Sequence, residues 1–366
     1  MEMAAPKDAI LFTRGNPDTD ALPIDEISQC AADIFKREGR VLFQYGHYSG
    51  YGPLRQWIAD QFGATFEQVL IGNSSMEFLT FIGGVLLKPG DTVWLENPSY
   101  DRAITAMRRL GARVVGLPLG LDGVDLDALE AELRREVPKF FYLVPEFQNP
   151  SGATTSLAKR RRIAELAQQH GFYIVEDAPY RRLRYRGEDL PTLRELAPEQ
   201  TLHVCSFSKL LSPGLRVGFL IGPKKLMPRL HKWSEDTYIH PTLVSEGIVY
   251  EYCRRGLLEP NIARLKAVYQ PRMEAMLTAL RSDLPQGRWA ETEGGFFIGI
   301  RLPENVDGNA LRGNASTFGI VLADGRGFFT DDSGVNFVRL PFCGLKAEES
   351  QEGIRRLARA VAHCTR

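Results

Sequence analysis

The sequence contains no run of apolar residues long enough to cross a membrane. A transmembrane helix requires about 20 consecutive, mostly apolar residues, and the best stretch here, residues 78–87, is about half as long and contains paired glycines. Residues 1–12 also lack the basic start, long apolar block and small-residue cleavage site of a secretory signal. We therefore expect a cytoplasmic protein.

Net charge is equally absent, because 45 lysines and arginines balance 45 aspartates and glutamates. Without a bulk positive field, the chain lacks the attraction that holds many proteins to nucleic acids or anionic membranes, so we expect neither as a partner. The five cysteines are odd in number and widely spaced, with no CxxC pair. That pattern indicates neither a disulfide framework nor a zinc site, and we expect no metal ion.

The order of apolar and amphipathic segments predicts an α/β fold. From about residue 68, short and nearly all-apolar strands alternate with amphipathic helices. This pattern is typical of a mostly parallel sheet covered by helices on both faces. Residues 202–208 and 217–223 read as two strands joined by a short loop. Because parallel crossovers need a dozen or more residues, these two strands should be antiparallel and the sheet mixed.

The length of 366 residues suggests two domains, or one large α/β unit with an appendage. We expect a larger domain built on the mixed sheet, then a long helix, then a smaller α+β domain. The predicted boundaries are an N-terminal arm packing on the small domain (1–25), the large domain (26–257), the bridging helix (258–282) and the small C-terminal domain (283–366).

The most informative segment is SFSKLLSPGLRVGF, which begins at residue 206. Lys209 directly follows a buried strand, where burial lowers the pKa of an amine and frees it to attack a carbonyl. Ser206, Ser208 and Arg216 supply hydroxyls and a guanidinium that can hold a phosphate. An isolated lysine at a strand end is ordinarily exposed, but this combination favours pyridoxal 5′-phosphate, which needs an amine for a Schiff base and an anchor for its phosphate.

This segment resembles the cofactor-lysine motif of the class I/II aminotransferases, the fold-type I pyridoxal-phosphate enzymes. The similarity is strongest to 2-aminoadipate-type aminotransferases and to the aminotransferase-like half of MocR-type regulators. Further segments resemble motifs of that family in the same order, namely QYGHYSGYGPLR (44–55), LVPEFQNPSG (143–152), EDAPYRRLRY (176–185) and VNFVRLPF (335–342). The resemblance implies ping-pong transfer of an amino group from an L-amino acid to a 2-oxo acid, with 2-oxoglutarate and glutamate as one pair.

The resemblance also implies roles around the cofactor ring. Lys209 would form the Schiff base and carry the proton, while Asp177, at a strand end, would pair with the pyridine nitrogen. Tyr180 and Asn149 would hydrogen-bond the phenolic oxygen, and Tyr100 would stack on the ring. Each has a plainer alternative: Asp177 as a helix N-cap, Asn149 as a turn residue and Tyr100 as a packing aromatic.

The phosphate is expected at the start of the helix near Ser74, where free N–H groups and the helix dipole favour an anion. Ser75 and the backbone of Met76 would join the cradle, although Met76 and Glu77 stand where related enzymes carry glutamines. Glu77 should face away, because its charge would repel the phosphate. Tyr45 would reach the phosphate of a partner subunit, which implies a homodimer with shared sites; it could equally be a packing aromatic.

The resemblance implies that Arg339 binds the substrate carboxylate, because a guanidinium makes two parallel hydrogen bonds that fix the substrate's orientation. Asn149 would assist, and Gly15 would let the N-terminal arm lie over the substrate. Arg14 could pair with an acidic substrate side chain, but a solvent-facing arm arginine is the more frequent alternative.

Two other functions remain open from the sequence. The same scaffold could run another reaction on an amino acid, such as β-elimination, condensation or cyclisation. It could also bind the cofactor without turnover, as a sensor; MocR-type regulators carry an N-terminal helix-turn-helix, and no such segment fits here. A nicotinamide oxidoreductase is disfavoured because no GxGxxG follows a strand.

Overall fold

The computed structural model describes residues 8–13 and 15–366. The strands are β1 (Ile10–Phe12), β2 (Val69–Gly72), β3 (Thr92–Asn97), β4 (Arg113–Gly120), β5 (Gly123–Val124), β6 (Phe140–Leu143), β7 (Tyr173–Asp177), β8 (Thr201–Ser206), β9 (Gly218–Ile221), β10 (Arg288–Trp289), β11 (Phe297–Arg301), β12 (Ile320–Leu322) and β13 (Phe337–Pro341). The α-helices are α1 (Ile24–Leu42), α2 (Gly52–Phe62), α3 (Ser75–Leu86), α4 (Asp101–Arg109), α5 (Leu126–Arg135), α6 (Leu157–His170), α7 (Leu193–Leu196), α8 (Met227–Tyr238), α9 (Leu243–Arg254), α10 (Leu258–Asp283), α11 (Gly308–Asn314) and α12 (Ala347–His363).

The large sheet has the strand order β2-β9-β8-β7-β6-β3-β4-β5. Strands β3, β4, β6, β7 and β8 run parallel, whereas β9 is antiparallel to both β2 and β8. Strands β6, β8 and β9 are buried along their whole length, as expected for a sheet with helices on both faces. The prediction of a mixed α/β sheet, including the antiparallel pair β8–β9, is confirmed.

The parallel strands bring chemically active segments to one edge of the sheet. Carboxyl ends of parallel strands lie together, and ligands of open α/β sheets bind there. Asp177 is the last residue of β7, and Lys209 follows β8 by three positions. Tyr100 and Asn149 lie in the loops after β3 and β6. The topology therefore gathers residues that are more than a hundred positions apart.

The long helix α10 leads from the large sheet to a second, three-stranded antiparallel sheet, β10-β11-β13. Pro271 lies inside α10 and does not end it. Near the N-terminus, β1 pairs in parallel with β12, so that Ile10 lies opposite Ile320. The arm thus contacts the C-terminal part of the chain, while the division into domains stays a prediction.

Among the helices in the described part of the chain, none combines the length and apolarity that crossing a bilayer requires.

The start of α3 packs tightly against the beginning of β9. A Cβ atom added at Gly218 would lie 2.8 Å from the Ser75 backbone nitrogen and 2.9 Å from the Ser74 carbonyl carbon. We expect Gly218→Ala to lower the free energy of unfolding by about 1–3 kcal/mol, because backbone atoms must move to admit the methyl group. Urea unfolding measures this difference.

Gly313→Ala is the matched control, since a Cβ there meets no atom within 4 Å and the residue lies inside α11. Its stability should equal or slightly exceed that of the parent. A Gly218→Ala protein as stable as the parent would show that the contact is not tight.

Candidate active site

A cavity of about 670 Å³ opens at the carboxyl edge of the large sheet. It brings together nearly all of the residues that the sequence singled out. The predicted residues lining it are Gly15, Ser74, Ser75, Met76, Tyr100, Asn149, Asp177, Tyr180, Ser206, Ser208, Lys209, Arg216 and Arg339. Arg14 lies outside the described residues, and Tyr45 does not line this cavity.

Lys209 presents a buried amine to the cavity. Burial lowers its pKa; Cys343 opposes the shift, and the nearby charges of Arg216 and Arg339 act in the same direction as burial. Its Nζ donates a long hydrogen bond of 3.4 Å to the carbonyl oxygen of Gly15. Among the described residues, no carboxylate forms an ion pair with it. This amine is therefore inclined to be neutral and nucleophilic.

Asp177 carries an unsatisfied carboxylate oxygen. Its Oδ2 accepts a hydrogen bond of 2.8 Å from the Tyr142 hydroxyl, whereas Oδ1 is buried without a hydrogen-bond partner in the described structure. Burial raises the pKa of Asp177 to about 6, although the Tyr142 hydrogen bond and the charge of His203 oppose the rise. A buried orphan acceptor calls for a donor, and a ligand with a protonated ring nitrogen supplies one.

Tyr142 was missed in the sequence, because it lies in the apolar run of β6 and reads as core. Its hydroxyl could have identified it, because a phenolic O–H in a fully buried strand needs a hydrogen-bond partner.

Arg339, on β13, is held between two aromatic rings. Its guanidinium carbon lies 4.7 Å from the centre of the Phe297 ring and 4.6 Å from that of Phe328. One Nη donates to Asn149 Oδ1 at 3.0 Å and the other to the Thr13 carbonyl oxygen at 2.6 Å. Its Nε is buried and has no acceptor in the described structure. The side chain is fixed in place and keeps donor capacity for an anionic ligand.

The Phe297 ring also explains why the N-terminal arm has a glycine at position 15. A Cβ atom at Gly15 would overlap the end of that ring. Tyr180 packs edge-on against the same ring, with centroids 6.0 Å apart. Phe297, Phe328 and Thr13 were not predicted from the sequence.

Hydroxyls and free backbone amides converge at the start of α3. Ser75 is the first residue of that helix and Ser74 precedes it. Across from them, Ser206 Oγ donates to Ser208 Oγ at 2.9 Å and accepts the Ser208 backbone N–H at 3.0 Å. Arg216 is exposed at the rim. A helix N-terminus with hydroxyls and a guanidinium is suited to binding a phosphate.

Glu77 is turned away from this cradle. Its Oε2 accepts the backbone N–H of Asn73 at 2.8 Å, and its side chain does not line the cavity. This arrangement agrees with the expectation that Glu77 faces away. Met76 and Glu77 both stand where related enzymes carry glutamines, and of these two only Met76 lines the cavity.

Tyr45 lies apart from these residues on the surface. Its side chain is 75% exposed and packs edge-on against His240, with ring centroids 5.8 Å apart. Within one chain it therefore contributes nothing to the cavity.

Together these groups fit pyridoxal 5′-phosphate. The amine of Lys209 could react with an aldehyde, the orphan Oδ1 of Asp177 could accept a ring N–H, and the α3 cradle could hold the phosphate. With the phosphate bound at the start of α3, Arg339 would be available to bind a second anion in the same cavity.

Comparison with known proteins gives consistent results. The family model described as Aminotransferase class I and II matches residues 7–357. A 2-aminoadipate transaminase from Thermus thermophilus is 37% identical over 355 residues, covering 96% of this chain and 89% of the relative. Aromatic-amino-acid aminotransferase 1 from Thermococcus litoralis is 30% identical over 374 residues, covering 99% and 90%.

Among solved structures, the α-aminoadipate aminotransferase LysN from Thermus thermophilus, complexed with N-(5′-phosphopyridoxyl)-L-leucine, superimposes with a TM-score of 0.92. It is 36% identical, and the alignment covers 98% of this chain and 93% of that one.

The raised pKa of Asp177 has a consequence for stability. Between about pH 4 and pH 6 the folded chain keeps a proton that the unfolded chain loses, so stability falls as the pH rises through this window, by about 3 kcal/mol. Asp177→Asn cannot ionise. The cofactor-free variant should therefore be about 1–3 kcal/mol more stable than the parent at neutral pH, with the difference growing from about pH 4.5 to pH 7 in urea unfolding.

Asp127→Asn serves as the control, because Asp127 is exposed at the start of α5 and its loss should change stability little at any pH. An Asp177→Asn protein less stable than its parent at neutral pH would contradict a raised pKa of Asp177.

Proposed function

The chain belongs to the class I and II aminotransferases, and we propose that the cavity at the carboxyl edge of the large sheet is its active site. The enzyme is a pyridoxal-phosphate-dependent aminotransferase, which moves an amino group from an amino acid to a 2-oxo acid. The observation that carries the site assignment is the buried amine of Lys209 in one cavity with the orphan carboxylate oxygen of Asp177.

Pyridoxal phosphate, when bound, supplies an aldehyde that condenses with amines and a protonated ring that accepts an electron pair. Asp177 would keep the ring nitrogen protonated, and its buried Oδ1 has the free capacity to do so. Tyr100 would stack on the ring, while Tyr180 and Asn149 would hydrogen-bond its phenolic oxygen. The proposed phosphate cradle consists of Ser74, Ser75, the Met76 backbone, Ser206, Ser208 and Arg216.

Lys209 is the proposed proton carrier. An amine whose pKa is lowered by burial is neutral for more of the time, so its Nζ can accept the proton from the substrate Cα. The same atom can then give that proton back at a neighbouring position. Because the amine has no carboxylate partner within the described residues, its movement breaks only the long hydrogen bond to the Gly15 carbonyl.

Arg339 is the proposed binding group for the α-carboxylate. Both the amino acid and the 2-oxo acid carry this group, so one arginine can hold donor and acceptor in turn, as a ping-pong reaction requires. The Phe297 and Phe328 rings cover its faces and exclude water, which strengthens charged hydrogen bonds. We propose 2-oxoglutarate and glutamate as one substrate pair, with Arg14 as the candidate partner for an acidic side chain.

We further propose a homodimer in which Tyr45 reaches the phosphate in the neighbouring subunit. Supporting this, Tyr45 is one of several large side chains exposed close together in sequence: Val41 is 55% exposed and Phe43 67%. Exposed apolar surface of this kind often marks an interface.

Replacing Lys209 tests the assignment. Lys209→Ala should lower amino transfer by at least about a thousandfold, because the proton carrier is gone, while the protein can still hold the cofactor noncovalently.

Borohydride reduction of the parent, followed by peptide mass spectrometry, should show the cofactor covalently attached at Lys209. Lys232→Ala, at an exposed lysine of α8, is the control and should keep full activity. Full transaminase activity in Lys209→Ala, or no fixed adduct at Lys209, would overturn the proposal.

Mixing two variants tests the shared site. Tyr45→Ala and Lys209→Ala homodimers should each be inactive at limiting cofactor. A hybrid dimer would regain one native site, which combines Lys209 of one subunit with Tyr45 of the other. Random exchange should thus restore about a quarter of the parent activity.

A control mixture of Lys209→Ala with the Tyr45→Ala/Lys209→Ala double variant contains no intact Lys209 and should stay inactive. If native mass spectrometry shows hybrids but activity does not return, Tyr45 does not act across the interface.

A further inference from the structure

A second polar cluster lies on the opposite face of the strands that carry the active site. Side chains alternate between the two faces of a strand, so Asp177 and Ser206 point to the cofactor cavity while their neighbours point away. On that other face, Glu176 of β7 lies directly opposite His203 of β8, and Cys205 follows His203 by two positions. The amino-transfer mechanism uses none of these three residues.

The three side chains form a connected chain of contacts. Cys205 Sγ lies 3.2 Å from His203 Nε2, and His203 Nδ1 lies 2.8 Å from Glu176 Oε2. Glu176 also accepts the backbone N–H groups of Leu193 at 2.7 Å and Arg194 at 3.1 Å. A nucleophile, a base that contacts it and a group that orients the base are the parts of an activated nucleophile.

The charges within the cluster stabilise one another. Burial alone would lower the pKa of His203, but the charges of Cys205 and Glu176 raise it to about 10. Burial acts to raise the pKa of Glu176, yet the His203 charge and three hydrogen bonds lower it. The raised pKa of His203 thus keeps a positive charge beside the Cys205 sulfur at neutral pH.

The cluster borders a cavity of its own. This cavity, of about 290 Å³, is lined by Cys205, His203 and Ser206, and Lys209 does not line it. The charged groups that line it are His203, Arg181, Arg182, Arg194 and Glu195, and Glu176 lies behind His203. Cys205 keeps 9% of its surface exposed. The thiol therefore has an approach for a small reagent, although most of its surface is covered.

The cavity has a surplus of positive charge. Arg181 and Arg182 are paired with Glu146 and Glu259. Arg194, by contrast, forms no ion pair with a carboxylate among the described residues, and its Nη1 donates to the Phe62 carbonyl oxygen at 2.8 Å.

Glu195 is occupied elsewhere, since its carboxylate accepts hydrogen bonds from the backbone and hydroxyl of Thr192. The Glu176 and Glu195 charges act on Arg194, but neither carboxylate forms an ion pair with it in the described structure, so its guanidinium can bind an anionic reagent.

We propose that Cys205 is a thiol-modification site for small disulfides that carry carboxylates. The Cys205 thiolate attacks one sulfur of the disulfide, a new S–S bond forms to that half, the original S–S bond breaks, and the other half leaves as a thiolate. Cys205 is oxidised by the disulfide, which is itself the oxidant and is reduced to one bound half and one free thiol. His203 and Glu176 hold the attacking thiolate, and Arg194 selects the anionic reagent.

The experiment measures exchange in the folded holoenzyme with two probes, the anionic 5,5′-dithiobis(2-nitrobenzoate) and the cationic cystamine, and locates the adduct by peptide mass spectrometry. Cys205 should react first among the five cysteines, and the anionic probe should react roughly tenfold faster than the cationic one.

Variants separate the parts of the site. His203→Asn should slow exchange at Cys205 at neutral pH, because the imidazole that contacts the sulfur is gone. Arg194→Gln should remove the preference for the anionic probe, and Arg194→Lys should keep part of it. Cys364→Ser, at another buried cysteine, is the control and should leave the fast reaction unchanged.

The wild-type measurement decides the matter even if a variant fails to fold. Exchange at Cys205 no faster than at Cys364, or a wild-type protein that shows no preference for the anionic probe, would overturn the proposal.

Discussion

The parallel register of β3, β6, β7 and β8 is the constraint on which the rest of the molecule depends. Because these strands run in one direction, their carboxyl ends form one edge, and the loops that follow them meet over it. Asp177 is placed by the end of β7 and Lys209 by the turn after β8. If β7 or β8 ran in the opposite direction, its functional group would lie at the far edge of the sheet. The chemistry therefore depends on the direction of these strands.

The active site also requires burial, which shifts the pKa values of Lys209 and Asp177 in opposite directions. Removing water lowers the pKa of the Lys209 amine and raises that of the Asp177 carboxyl. Both groups are thereby biased toward their neutral forms before a ligand binds. A cationic ring nitrogen beside Asp177 would favour its ionised form again. The same burial that destabilises the folded chain therefore prepares the pocket for a charged ligand.

Sequence reasoning reached the parts of the site that follow strand ends, because a lysine or aspartate in such a position is conspicuous. It missed Tyr142, whose neighbours in β6 are all apolar. It also missed the contact of Arg339 with Thr13, because the two residues are 326 positions apart and no local pattern encodes their meeting. The pairing of β1 with β12 is of the same kind. Local chemistry was legible in the sequence, whereas contacts between distant segments required the fold.

Strand alternation also explains why Glu176, His203 and Cys205 went unnoticed. The segment LHVCSFS (202–208) has the pattern of a buried strand that leads to Lys209. This pattern does not single out His203 and Cys205, which lie on the other face of the strand. Burying a carboxylate and an imidazole is costly unless each is paired, and here each satisfies the other. Two strands thus support polar groups on both faces. Because Cys205 and Ser206 are adjacent in β8 and Ser206 lines both cavities, a group attached to the sulfur would lie one residue away from the proposed phosphate cradle.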